Sequence, residues 1–356
     1  MNPIYEFLKD KAKRTQKNYR WILDQFFREL KQDPKTYFDN KDRDYQTDIG
    51  QWWDQHLNEV PKTRNTKLAI VKGLMEDQEV VLPAKYWKKL RHIRKGSRAA
   101  TLDRVPTESE FKRMLRHGDV KDKALFLFTM SSGMRIDEAL QITPDMMDLD
   151  QKIPIIKLPG SITKTGDPRI TFISQEAKDY LQEWLKIRKQ WLRRSIKRTG
   201  HLCTKDINDN RIFPFSYDVA WTRWIYLLKK TGLDQRDPTT NRYVLHIHCL
   251  RKYFLSQLKL QIPAVIPEAL AGHEQYLDEA YRRYTETQLA EYYRQGEPRI
   301  TVLQSAPDLT GVHEELKEKD KEIMHMRQEM HELRNLISEL GSKKLDQLKE
   351  LEKKGK

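Results

Sequence analysis

The chain has 356 residues, with 66 Lys and Arg against 52 Asp and Glu, a formal charge of +14 and a pI near 9.4. Charged residues make up 33% and hydrophobic residues 38%, yet eight Trp, fifteen Tyr and eleven Phe supply enough apolar mass for packed cores, which excludes wholesale disorder. No apolar run approaches the ~18 residues of a bilayer span, the charged N-terminus does not read as a signal peptide, and Cys203 and Cys249 make neither a disulfide framework nor a four-ligand zinc site, so a reducing, cytoplasmic setting with no membrane partner is expected.

The basic excess points to a polyanion, nucleic acid before an anionic membrane surface. It is unevenly spread: residues 1–98 carry 22 basic and 14 acidic side chains, whereas residues 313–356 carry 11 of each. Residues 1–95 read as a small helical domain. Apolar residues in Thr15–Leu30 recur at three- and four-residue intervals, as on an amphipathic helix, with Thr15 as a candidate N-cap. Further helices are expected around Thr47–His56, Thr63–Glu76 and Pro83–His92. Lys85, Lys88, Lys89, Arg91, Arg94, Lys95 and Arg98 then form a run without an acid, more suited to phosphate contact than to a merely solvated face.

Residues 96–106 have weak periodicity and read as a linker. Thr107-Glu108-Ser109-Glu110 has the form of a capping box and opens a larger, mainly helical domain over residues 107–300. A strand pair is expected at Ile153–Lys157 and Arg169–Ile173, followed by helices around Gln175–Arg194, Tyr217–Lys230, His248–Leu260 and Pro263–Ala271. After a short tail linker, 301–311, a heptad runs through 312–356: Leu316, Ile323, Met330 and Ile337 share one seam position, and Lys319, Met326, Leu333 and Leu340 the other. Such a charged-sided seam predicts a coiled coil and self-association.

There is no GxxxxGK[ST] loop, no GxGxxG after a strand and no HExxH, so the motifs of nucleotide hydrolysis and zinc proteolysis are absent. His246-x-His248 could suggest a metal, but no acidic or cysteine cluster completes a ligand set, and none is expected. What stands out is a dispersed basic set. In Ser132-Gly133-Met134-Arg135, an arginine follows a glycine turn, with Glu138 three residues on to hold its guanidinium for a phosphate. Lys164 lies at the hairpin tip in Thr163-Lys164-Thr165-Gly166-Asp167-Pro168-Arg169. His248 and Arg251 are spaced i, i+3 and share a helical face. Leu270-Ala271-Gly272-His273 precedes Tyr281 and Tyr284 in Ala280-Tyr281-Arg282-Arg283-Tyr284. Singly, each could be a surface ion pair, a solvated lysine or a packing tyrosine.

Together and in this order, these elements resemble the tyrosine recombinase family of integrases and Xer-like enzymes, over about residues 107–290 and more loosely over the basic N-terminal domain. The segment from Tyr281 to Tyr293 looks similar to integrases of archaeal viruses and plasmids. The resemblance implies a mainly α fold: a helical core-binding domain, a mixed α+β catalytic domain with a small β-hairpin or sheet, and the C-terminal coiled-coil helix. It also implies catalytic roles for Arg135, Lys164, His248, Arg251 and His273, with Glu138 orienting. The ninth residue after His273, where the family places its tyrosine, is Arg282 here; Tyr281 is taken as nucleophile and Tyr284 as second choice. The implied activity is site-specific recombination through a 3′-phosphotyrosyl link, needing no metal, ATP or other cofactor. Its partners would be double-stranded DNA attachment sites and further copies of the chain, four protomers on two sites. Type IB topoisomerase-like relaxation and a catalytically silent architectural DNA-binding protein are the alternatives.

Overall fold

The structure is a computed structural model and describes residues 2–40, 42–92, 101, 103–199, 206–273, 283–303, 325, 326 and 328–330. Two compact units are present. The first comprises Met1–Leu102 with Arg236–Arg242, the second Asp103–Gln235 with Tyr243–Lys356. The division falls inside the segment 96–106 read as a linker.

The first unit is helical: α1 (Pro3–Leu8), α2 (Lys13–Leu30), α3 (Tyr45–Gln55), α4 (Pro61–Asp77) and α5 (Ala84–His92). The apolar stripe of α2 buries Ile22, Leu23, Phe26 and Phe27 against Trp52, Trp53, Val71 and Leu74. Helix α2 starts two residues ahead of Thr15, and its N-cap, Ala12, offers no side-chain bond. The Gln16 amide instead folds back onto the carbonyls of Lys9 and Lys11, at 3.2 and 2.8 Å. Thr15 is therefore not the cap. Helix α3 likewise starts earlier than expected because Asp44 accepts from the Thr47 N–H at 3.1 Å. On α5, Trp87 and Leu90 are buried while Lys85, Lys88, Lys89 and Arg91 are exposed. Tyr86 anchors the helix by donating to the Gln46 carbonyl at 2.7 Å. Arg94, Lys95 and Arg98 lie outside the described residues.

The second unit opens with α6 (Glu108–Arg116), whose Thr107–Glu110 capping box forms as the sequence predicts. Helix α7 (Val120–Ser132) is apolar on nearly all sides, as a helix enclosed by its neighbours must be. It packs between α9 (Gln175–Thr199), α11 (Cys249–Leu258) and the sheet. Between them come the short α8 (Ile136–Ala139) and strands β1 (Met147–Asp148), β2 (Ile155–Leu158) and β3 (Arg169–Phe172). The sheet is antiparallel in the order β1-β2-β3, with Ile156 opposite Met147 and Thr171, and Leu158 opposite Arg169. The two-residue β1 is too short to show in the sequence. Strand β2 begins at Ile155, not Ile153, because Pro154 has no N–H to enter a ladder; its carbonyl accepts from Ile173 at 3.1 Å. Helices α10 (Tyr217–Thr231), α12 (Val265–Ala271) and α13 (Glu286–Gly296) complete the unit. Its core gathers Phe111, Phe126, Phe128, Trp184, Phe213 and Trp224.

Of the expected coiled coil, only His325, Met326, Gln328, Glu329 and Met330 are described; they are helical, with Met326 and Met330 exposed. The rest of the heptad lies outside the described residues.

Candidate active site

Gly133 caps α7 with a left-handed φ of +64°, and a Cβ there would collide with the Phe254 ring. This turn redirects the chain so that Arg135 becomes the N-cap of α8. The Arg135 N–H donates to Glu138 Oε2 at 2.9 Å and its Nη1 donates to Oε1 at 2.9 Å. The carboxylate three residues on thus holds the guanidinium, as the sequence pattern suggests.

A second arginine shares that carboxylate. Arg169, at the start of β3, donates from Nη2 to Glu138 Oε2 at 2.5 Å and from Nε to the Leu270 carbonyl at 3.2 Å. Both side chains are 2% exposed. In the sequence, Arg169 stands only at the end of the hairpin motif, which gives it no role. A signal is nevertheless present: an arginine opening a strand buried along its whole length, Arg-Ile-Thr-Phe, requires a buried counter-charge. Burial pushes the Glu138 carboxyl upward, but its bonds and proximity to Arg169, then Arg135, hold it below the usual range.

Arg251 on α11 is the third guanidinium. Its Nη1 donates to the Gly133 carbonyl at 2.8 Å and also to that of Ala271. Its Nη2 is buried and has no hydrogen-bond partner among the described residues. Burial, then repulsion from Arg135 and Arg169, lowers its pKa to about 9, which leaves it charged at neutral pH. An orphaned, charged donor beside two more arginines is costly to keep buried. An anionic ligand would satisfy it.

His248 is the N-cap of α11, in helical conformation and exposed, one turn ahead of the buried Arg251, whose charge acts on it. Although the His248 residue is open to solvent, desolvation and then the fields of Arg251, His246, Lys252 and Arg135 push its pKa down to about 4. The imidazole is neutral at physiological pH and free to accept a proton. His273 follows Gly272, the left-handed C-cap of α12 at φ +79°; a Cβ on Gly272 would come within 2.9 Å of the Arg169 Cδ and Nε. The His273 Nδ1 pairs with Glu268, which Lys259 also contacts.

Lys164 is exposed on the loop between β2 and β3. The loop is pinched at its base, where Gly160 passes against the Gly166 carbonyl with no room for a Cβ. The Thr163 hydroxyl, 3.0 and 2.9 Å from the carbonyls of Gly160 and Asp167, staples it internally. Tyr284 packs edge-on against Tyr292 with centroids 5.5 Å apart. Tyr281 lies outside the described residues. Among the described residues no group of three His, Cys, Asp or Glu side chains could hold a metal ion.

Arg135 and Arg169 on one carboxylate, with Arg251 of α11 close by, form a cluster of positive charge on a helical domain with a small antiparallel sheet. Residues 105–290, more than half of the chain, match the phage integrase family, and the chain belongs to that family of tyrosine recombinases. Tyrosine recombinase XerA of Saccharolobus solfataricus is 25% identical over 155 residues, which is 43% of this chain and 42% of that protein, so the chain matches less than half of this relative's length. Two solved structures share the fold. A lambda integrase (75–356) dimer bound to a COC' core site has a TM-score of 0.53 at 13% identity, covering 80% of this chain and 90% of that one. The Tn1549 transposon integrase in complex with transposon right end DNA also has a TM-score of 0.53, at 16% identity, covering 82% and 98%.

Proposed function

We propose that the protein is a site-specific DNA recombinase that cleaves and rejoins strands through a 3′-phosphotyrosyl intermediate. The observation that carries this reading is the buried, unpartnered Nη2 of Arg251 beside the Arg135–Glu138–Arg169 network. Attack on a phosphodiester brings a nucleophile to an anion, and the barrier falls where fixed cations meet the charge that builds on the nonbridging oxygens. Arg135 and Arg251 take that role, Glu138 and Arg169 hold Arg135 in place, and His273 donates to the phosphate. Tyr281 is the nucleophile. His248, whose pKa is depressed by desolvation of its ring and by its cationic neighbours, accepts the phenolic proton. Lys164, on its exposed loop, protonates the departing 5′-oxygen. The phosphotyrosyl bond conserves the energy of the broken ester, so the free 5′-hydroxyl of a new strand can reseal it without ATP.

The packing of Tyr284 on Tyr292 supports a structural part for that ring, in keeping with Tyr281 as the proposed nucleophile. The exposed Lys85, Lys88, Lys89 and Arg91 on α5 would track the DNA backbone. Duplex attachment sites, a tetramer on two sites and an intermolecular coiled coil complete the proposal. A duplex nicked beside the scissile phosphate tests it. Trapping of a covalent adduct that peptide mapping assigns to Tyr281 is the expected result. Adduct at Tyr284 would move the nucleophile and keep the chemistry. Binding with no adduct at either tyrosine would leave a silent DNA-binding protein.

A further inference from the structure

His246 has no part in the strand-transfer chemistry above, yet it sits in the turn ahead of α11 with one edge and one face of its ring engaged. Its Nε2 lies 2.8 Å from Asp103 Oδ2. Its ring lies nearly parallel to that of His248, at an interplanar angle of 7° and a centroid distance of 6.1 Å. Lys252, one turn into α11, pairs with the same Asp103 oxygen. The His248 ring hydrogen-bonds to no described residue, and the nearly parallel ring beside it is that of His246.

We propose that Asp103 and His246 are a positioning pair for His248: the carboxylate fixes the His246 ring, and that ring orients the imidazole that takes the tyrosine proton. The inference rests on the recombinase reading, because it assigns supporting groups to that reaction's base. A carboxylate can only accept, so His246 donates to Asp103 from Nε2. Asp103 remains an anion: burial raises its pKa, but bonds from Lys252 and His246 hold it below the ordinary carboxylate range. The alternative use of two histidines and a carboxylate, a metal site, does not fit. The Lys252 ammonium already occupies the carboxylate, and no ligand triad exists among the described residues.

The pair also sets the field at His248. Facing that ring are Arg251 and Lys252 from α11, His246 from the preceding turn and Arg135 from the start of α8. Around Asp103 itself stand His246, Lys252, and the Cys249 thiol, itself pushed up to about 11 by burial. Asp103 offsets the charge of Lys252. Removing it leaves that cation bare beside His248, which disfavours the imidazolium and lowers the His248 pKa further.

The test compares wild type with Asp103→Asn, His246→Ala and His246→Phe. Two readouts are used: single-turnover adduct formation on the nicked duplex across pH, and NMR titration of His248, assigned with His248→Asn. His246→Ala should slow adduct formation about tenfold to a hundredfold at unchanged DNA affinity, the loss expected when a reacting group is misaligned. His246→Phe, which keeps a flat ring to stack on, should recover most of that rate. Asp103→Asn keeps the side chain's shape and should move both the acid limb of the rate profile and the His248 midpoint to lower pH. Unchanged rates and midpoint in Asp103→Asn and His246→Ala would overturn the proposal. So would a His246→Ala protein that loses binding and cleavage in equal measure while His246→Phe restores nothing. Should His246→Ala not fold, the isosteric Asp103→Asn decides alone. A wild-type protein without adduct would reject the recombinase reading, and the titration would still show whether Asp103 and His246 govern His248.

Discussion

Replacing Glu138 by Gln preserves the size of the side chain and removes the charge that Arg135 and Arg169 share. Arg169 is 2% exposed, so its guanidinium would be left in the interior without a counterion. Removing one partner of a buried pair costs about 3–5 kcal/mol, a large part of a domain's net stability of about 5–15 kcal/mol. For a unit of this size, each kcal/mol lowers Tm by about 2–4 °C, so the variant should melt about 6–20 °C below wild type. The double variant with Arg169→Met removes the stranded charge and should recover part of that loss. The pH dependence supplies a second check. Since the Glu138 pKa is depressed below 4.5 in the folded protein, its contribution is present in full above that value. It is lost as pH falls through the folded-state value. The gap between wild type and Glu138→Gln should therefore narrow in acid. Thermal melts by circular dichroism over a pH series measure all three effects. A Glu138→Gln protein that melts with wild type, or a double variant no better than the single, would refute the shared-counterion account.

Tyr281→Phe should abolish covalent attachment to a nicked duplex with little change in binding, while Tyr284→Phe should retain attachment, as read by gel shift and denaturing gel. Gly272→Ala places a non-glycine residue at φ +79° and a methyl against Arg169; a strained backbone costs about 1–3 kcal/mol, and the displaced guanidinium should slow cleavage as well. Substituting Lys88, Lys89 and Arg91 together should flatten the slope of log affinity against log salt by roughly 0.9 for each phosphate no longer neutralised, measured by fluorescence anisotropy. Truncation after Ala306 should leave single-site cleavage intact and weaken multimers, which sedimentation velocity would report.

Much of the architecture is legible because it is local. The apolar periodicity of α2, the capping box at Thr107 and the glycine before Arg135 each act within a few residues, and each appears in the structure where the sequence places it. Errors arise where several local solutions compete, as at the start of α2, where Gln16 satisfies neighbouring carbonyls and Thr15 is bypassed. Arg169 escapes a reading along the chain because its meaning lies far away. Its partners are Glu138, 31 residues back, and the Leu270 carbonyl, 101 residues on. The Asp103–His246 contact is equally non-local, since the two residues lie 143 positions apart. A motif names the residue types that chemistry needs, but not the ones that hold them.

The loop that carries Lys164 returns to the sheet at Arg169, so a solvent-exposed side chain and one of the most enclosed charges in the unit are separated by five positions. Leverage follows from that arrangement. The staple at Thr163 and the pinch at Gly160 make the loop a short arm with a stiff wrist, and Arg169 is the bolt at its shoulder. Five residues of backbone thus separate the exposed tip from the carboxylate that two arginines share.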